Sequence, residues 1–166
     1  MGVAGCGKSA VGVRLASALG VDLVEGDDFH PSANIAKMRQ GIALQDADRA
    51  DWLLRLGDEL RARPSGAVLT CSALKRTYRD RLRAAVPGLR FLHLALTPHQ
   101  ALARVAARTD HFYPPSLVAS QFEALEDPAA EAGVRVVDAT LSIDAIVDRA
   151  LADLAPHRDL QAFNNP

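Results

Sequence analysis

The first nine residues constrain this chain more than any others. Gly2-Val3-Ala4-Gly5-Cys6-Gly7-Lys8-Ser9 matches G-x-x-x-x-G-K-S and leads directly into a stretch of helical periodicity. Val11, Leu15, Ala18 and Leu19 recur at helical spacing, and Gly20 is a natural terminator. Gly5 and Gly7 allow backbone conformations that turn successive N–H groups inward and let them approach an anion closely. The helix beginning at Lys8 adds its positive end at the same point. In such a cradle Lys8 reaches the β- and γ-phosphates of a nucleotide and the Ser9 hydroxyl ligates Mg²⁺. The motif therefore predicts ATP and Mg²⁺ bound by residues 2–9.

A phosphate cradle of this kind normally follows a buried strand, and only Met1 precedes Gly2. The expectation is that the natural start lies upstream and supplies the first strand. A chain beginning at Met1 is expected to be less stable, to bind nucleotide weakly, or to borrow a strand from another segment or subunit. The 166 residues predict one domain, with 49% hydrophobic and 23% charged residues and a formal net charge of −1. That charge offers no overall basic field for nucleic acid or an anionic membrane, so an anion site must be built locally. The chain has no apolar run long enough to span a bilayer. Its two cysteines, Cys6 and Cys71, form neither a disulfide framework nor a metal quartet, and the expected location is the cytoplasm. Of 19 cationic side chains only Lys8, Lys37 and Lys75 are lysines, the compact ammonium being kept for few positions.

Short strands are predicted at 21–24, 67–71, 89–96 and 134–137. Helices are predicted at 8–19, 31–38, 46–63, 75–85, 98–108 and 116–125, with a last one striped by Ile143, Ile146, Val147, Ala150 and Leu154 and a frayed tail from 157. This alternation predicts an α/β fold, a parallel sheet sandwiched by helices, with ligands at the carboxyl ends of the strands. The turn Glu25-Gly26-Asp27-Asp28 and the segment Ser72-Ala73-Leu74-Lys75 both fall at such ends. Residues 109–128, with the Pro114-Pro115 pair, are expected to form a mobile lid, and 30–63 a substrate-binding helical region.

No D-x-x-G and no N-K-x-D occurs, which speaks against a GTPase. Arg104 and Arg108, four apart at the end of one helix, share a face and can close over the phosphates to offset charge developing in phosphoryl transfer. Asp27 is placed to accept the acceptor proton or orient its hydroxyl, and Glu25 to hold Mg²⁺ through water.

With these segments in view, the chain resembles the gluconate kinases. The likeness rests on residues 2–9, on Glu25-Gly26-Asp27-Asp28-Phe29-His30-Pro31 with Asn34-Ile35-Ala36-Lys37-Met38, and on Asp48-Arg49-Ala50-Asp51-Trp52-Leu53. It continues through Cys71-Ser72-Ala73-Leu74-Lys75-Arg76, Tyr78-Arg79-Asp80, His111-Phe112 and Ser120-Gln121-Phe122-Glu123-Ala124-Leu125-Glu126. The resemblance implies the P-loop kinase fold of the nucleoside-monophosphate and shikimate kinases, with a five-stranded parallel sheet. It implies ATP-Mg²⁺, D-gluconate as acceptor, 6-phosphogluconate as product and commonly a homodimer. For a six-carbon acid bearing several hydroxyls, His30, Lys37, Arg49, Lys75 and Arg79 supply cations or donors, and Asp27 and Ser72 can bind hydroxyls. Which cation meets the carboxylate stays open. Glu25 departs from the family's D-x-D pattern, and its longer side chain is expected to shift the Mg²⁺ water shell. The competing readings are a kinase for another small polyol acid such as shikimate, and a non-catalytic nucleotide-binding domain.

Overall fold

The structure is a computed structural model that describes residues 1–107 and 114–161. Four strands appear among them: β1 (Asp22–Glu25), β2 (Ala67–Thr70), β3 (Phe91–Ala95) and β4 (Val134–Asp138). They pair in parallel as β1 with β2 and β3 with β4. Seven α-helices accompany them: α1 (Lys8–Leu19), α2 (Ser32–Arg39), α3 (Asp46–Arg61), α4 (Arg76–Ala85), α5 (Pro98–Ala106), α6 (Val118–Ala124) and α7 (Ile143–Gln161). The expected tail from 157 is helical as far as Gln161.

Two apolar clusters cover opposite faces of the strands. Leu94 and Val137 pack with α1, α5 and α7 on one side, while Phe91, Leu69 and Val134 pack with α3 and α4 on the other. This follows the two-residue alternation of a strand, and strands clothed on both faces read as the continuous apolar runs seen in the sequence. No helix among the described residues is long and apolar enough to cross a membrane.

The sheet the resemblance implies has five strands, and four are seen. Met1 and Gly2 lie between the two pairs. The Met1 nitrogen donates to Leu92 O at 2.6 Å, Leu94 N donates to Met1 O at 3.0 Å, and Gly2 N donates to Ser72 O at 3.1 Å. Donating to one residue and accepting from the residue two further on is the pattern of a parallel ladder. Two residues thus hold the cradle in register with both pairs.

The segment expected as a mobile lid divides. Residues 108–113 lie outside the described residues. From Pro115 the chain is docked: Leu117 packs with Met38 and Leu44, and Val118 enters the main core. Burying an apolar side chain contributes about 1.5–3 kcal/mol each, so these contacts hold α6 against the body.

Candidate active site

Local packing positions the cradle. Gly7 has φ 92°, left-handed backbone that glycine adopts without strain, and a Cβ added there would meet nothing within 4 Å. The hollow in front of it is therefore open. The first turn of α1 contains no acidic residue and no side chain caps it, so its positive end faces that hollow unopposed. Ala4, Gly5, Gly7, Lys8 and Ser9 line the hollow, whereas Val3 and Cys6 are buried in the core behind it. Gly2 lies at the base, on the ladder bonds. Lys8 Nζ donates to Val3 O at 3.1 Å, folded over the loop it follows.

Asp27 stands opposite. The turn that carries it, Gly26–Phe29, is pinned from two sides: Trp52 Nε1 donates to Gly26 O at 2.8 Å, and Gly26 N donates to Thr70 Oγ1 at 3.3 Å. A Cβ at position 26 would sit 2.2 Å from Thr70 O, so only glycine allows this close approach. Beyond the turn, His30 stacks on Trp52 with centroids 4.2 Å apart. Burial pushes its pKa down to about 4, so the imidazole is neutral near pH 7, and the 3.9 Å from its Nε2 to Asp27 is a polar contact and not an ion pair. His30 forms a wall of the site rather than one of its cations.

Two openings meet here. An inner cleft is bounded by the cradle, Asp27, His30 and Ser72. An outer cavity of about 480 Å³ continues from it past Gln45, Asp46, Arg49, Lys75 and Ser120, and Arg49 and Gln121 line both. That volume suits a small organic substrate.

The expected cations sort themselves by their partners. Arg49 donates to Leu44 O and lies 5.7 Å over the Tyr78 ring, with no carboxylate partner among the described residues. Lys75 Nζ contacts both Asp46 oxygens at 2.7 and 2.9 Å on the cavity rim, and that ammonium, with Tyr78, holds the Asp46 carboxyl below its usual range. Lys37 is turned away to Asp48 at 2.5 Å and does not line the cavity.

Arg79 needs correcting outright. It is fully buried, and its five N–H donors go to Glu131, Ala73 O, Leu74 O and Glu126 O. It braces the 71–75 loop from behind, where Ala73 adopts φ 45°, and is not among the residues that line the cleft or the outer cavity. Glu25 also differs from expectation: it accepts a hydrogen bond from Thr70 Oγ1 and is not among the cavity residues. Arg104, expected over the phosphates, donates to Ala139 O at 2.9 Å and to Gly5 O at 3.5 Å, bracing the cradle from outside. Arg108 lies outside the described residues.

Sequence reading assigned no part to Asp46 and Asp48. They sit in the first turn of α3, where acidic residues are ordinary helix-start signals, and only the fold turns them toward Lys75 and Lys37. Gln121 was visible only as one letter of a longer resemblance. In the fold its Oε1 accepts from Ala4 N at 2.5 Å.

No cluster of three His, Cys, Asp or Glu side chains able to hold a metal occurs among the described residues. The donor set suits Mg²⁺ arriving with a nucleotide, since that ion keeps several waters and draws ligands from phosphates and one or two protein oxygens. Ser9 and Asp27, on one cleft, would supply those.

No family model matches the chain. It is 46% identical over 134 residues to the thermosensitive gluconokinase of Escherichia coli strain K12, covering 79% of this chain and 72% of that protein. It is 42% identical over 154 residues to the gluconokinase of Gluconobacter oxydans, covering 91% and 86%. The crystal structure of a gluconokinase from Sinorhizobium meliloti 1021 superposes with TM-score 0.87 at 44% identity, covering 100% of this chain and 95% of that one. Deoxyadenosine kinase from M. mycoides, at 14% identity and TM-score 0.65, shares the fold alone. A P-loop facing a pinned aspartate across a cleft, on a chain this similar to those proteins over most of its length, makes it a member of the gluconokinase family.

Proposed function

We propose that this protein is an ATP-dependent gluconokinase, transferring the γ-phosphoryl group to D-gluconate to give 6-phospho-D-gluconate and ADP. The observation that carries this is the continuity of the hollow: phosphate cradle, Asp27 and a polar cavity with an arginine that has no carboxylate partner among the described residues share one opening. The α1 amides and Lys8 bind the phosphates, an electrostatic contribution that dominates this chemistry. Mg²⁺, held by Ser9, Asp27 and the phosphate oxygens, would neutralise charge on the nucleotide. Asp27 orients the acceptor hydroxyl and receives its proton as the oxygen bonds to the γ-phosphorus and the bond to ADP breaks. Arg49 takes the gluconate carboxylate, because its planar fork suits a carboxylate and neither Arg79 nor Lys37 is free to do so. Ser72 and Lys75 serve the remaining hydroxyls. The same reading includes a homodimer in the cytoplasm, the first of which light scattering on the purified chain tests.

A coupled assay of ADP release with ATP, Mg²⁺ and a panel of sugar acids tests the proposal. Gluconate-dependent turnover is expected; its absence would sink the assignment, and turnover with another acid alone would replace the substrate. Asp27→Asn should lower kcat by roughly 10²–10⁴-fold with ATP binding kept.

A further inference from the structure

Gln121 has no part in the mechanism above, yet it touches both halves of the site. Its Oε1 accepts from Ala4 N at 2.5 Å. The partner is a main-chain N–H, so the atom facing it must be the carboxamide oxygen, and Nε2 points to the other side. Nε2 has no hydrogen-bond partner among the described residues and is not among the buried polar atoms left unpaired, so it reaches solvent. The residue lines the inner cleft and the outer cavity alike. Its helix α6 is rooted at both ends. Leu117 packs on Met38 and Leu44 before it, and after it Glu126 N donates to Leu74 O at 3.0 Å while Glu126 Oε2 accepts from Arg76 N at 2.6 Å. A carboxamide clamped by its oxygen on a docked helix presents its two N–H donors in a set direction.

We propose that Gln121 is a positioning residue that ties the acceptor to the phosphate cradle. Oε1 stays on the Ala4 N–H while Nε2 donates to an oxygen of the polyol acid, holding the acceptor hydroxyl in register with the phosphates. This rests on the kinase reading above.

The test is Gln121→Glu, with KM and kcat for both substrates measured from about pH 8 to about pH 5.5, a span that approaches carboxyl titration. The carboxylate can still accept from Ala4 N–H but has no donor to offer the acceptor. At the alkaline end, kcat/KM for gluconate should fall about 10-fold or more, the worth of one hydrogen bond to a polar or charged partner, with the KM for ATP little changed. Toward the acid end the ratio to wild type should begin to rise, by no more than the roughly 6% of carboxyl protonated at about pH 5.5, because a protonated carboxyl supplies an O–H where Nε2 stood. Parity with wild type at every pH would overturn the proposal, leaving only the Ala4 bond. A raised ATP KM with gluconate KM untouched would also overturn it, by making Oε1 a stand-in for phosphate. Should Gln121→Glu not fold, Gln121→Met must raise the gluconate KM selectively, and an unchanged KM refutes the role. If the unsubstituted chain turns over no gluconate, the kinase reading fails first; wild-type turnover with parity in the variant refutes only this inference.

Discussion

Two groups of arginine flank the 71–75 loop, and they are built in opposite ways. Behind the loop, Arg79 is buried and saturated, and Arg83 Nη2 joins it on Glu131 at 2.9 Å. In front of it, Arg49 faces the cavity with one carbonyl and one aromatic ring as partners among the described residues. Both lie in segments that resemble the same family, so residue type and motif do not separate them. Donor saturation does. A guanidinium whose five donors are all used by the protein is a brace, and one with donors facing a cavity is available to a ligand.

The largest effect should come from breaking the closed group. Arg79→Met takes the main partner from Glu131 and leaves the carbonyls of Ala73, Leu74 and Glu126 without their donor, each buried polar group so orphaned costing about 1–3 kcal/mol. Thermal or urea unfolding should show this, and whatever protein still folds should keep a near-normal gluconate KM. A selective rise in that KM with unchanged stability would reverse the roles assigned to the two arginines. Arg49→Met should do the opposite, raising the gluconate KM about 10–100-fold, as expected for loss of a charge-assisted bond, with little change in melting temperature.

A smaller effect comes from acid. Hydrogen bonds from Arg79 hold the Glu131 carboxyl down at about 2, below its usual 4.5. Its contribution to stability is full above pH 4.5 and is lost only as pH falls toward 2. His30 and His93 are held neutral by burial, at about 4 against a usual 6.5. For these bases the unfolded chain binds the proton first, so stability is present above pH 6.5 and declines as pH drops toward 4. The melting temperature should therefore fall between pH 6.5 and 4.5 while the Arg79–Glu131 latch stays ionised. His93→Leu should flatten part of that slope. A flat profile in the wild-type protein would mean that the imidazoles are not held neutral.

Much of this architecture was legible in the residues. Val11, Leu15 and Gly20 mark α1, and Trp52, Leu56 and Leu60 mark α3, because burial on one face imposes its period on the sequence. Observed boundaries differ from the expected ones mainly at their ends: the helix expected to reach 63 stops at Arg61, and the strand expected over 89–96 spans Phe91–Ala95. Strand and helix ends are settled by local hydrogen bonds that periodicity does not encode.

By itself the sequence determined the phosphate cradle, since G-x-x-x-x-G-K-S specifies backbone geometry and side chains within eight contiguous residues. It also placed Asp27 at a strand end, where the family resemblance expects chemistry. Only the tertiary structure decided which cations face the hollow. Arg49, Lys75 and Arg79 carry the same sign and lie in similar motifs, but their partners come from residues 5 to 52 positions away. Which of these hydrogen bonds form is set by packing, and they make one arginine a brace and leave another for a ligand. The same holds for Gln121, whose bond to Ala4 spans 117 residues and joins α6 to the loop of residues 2–9.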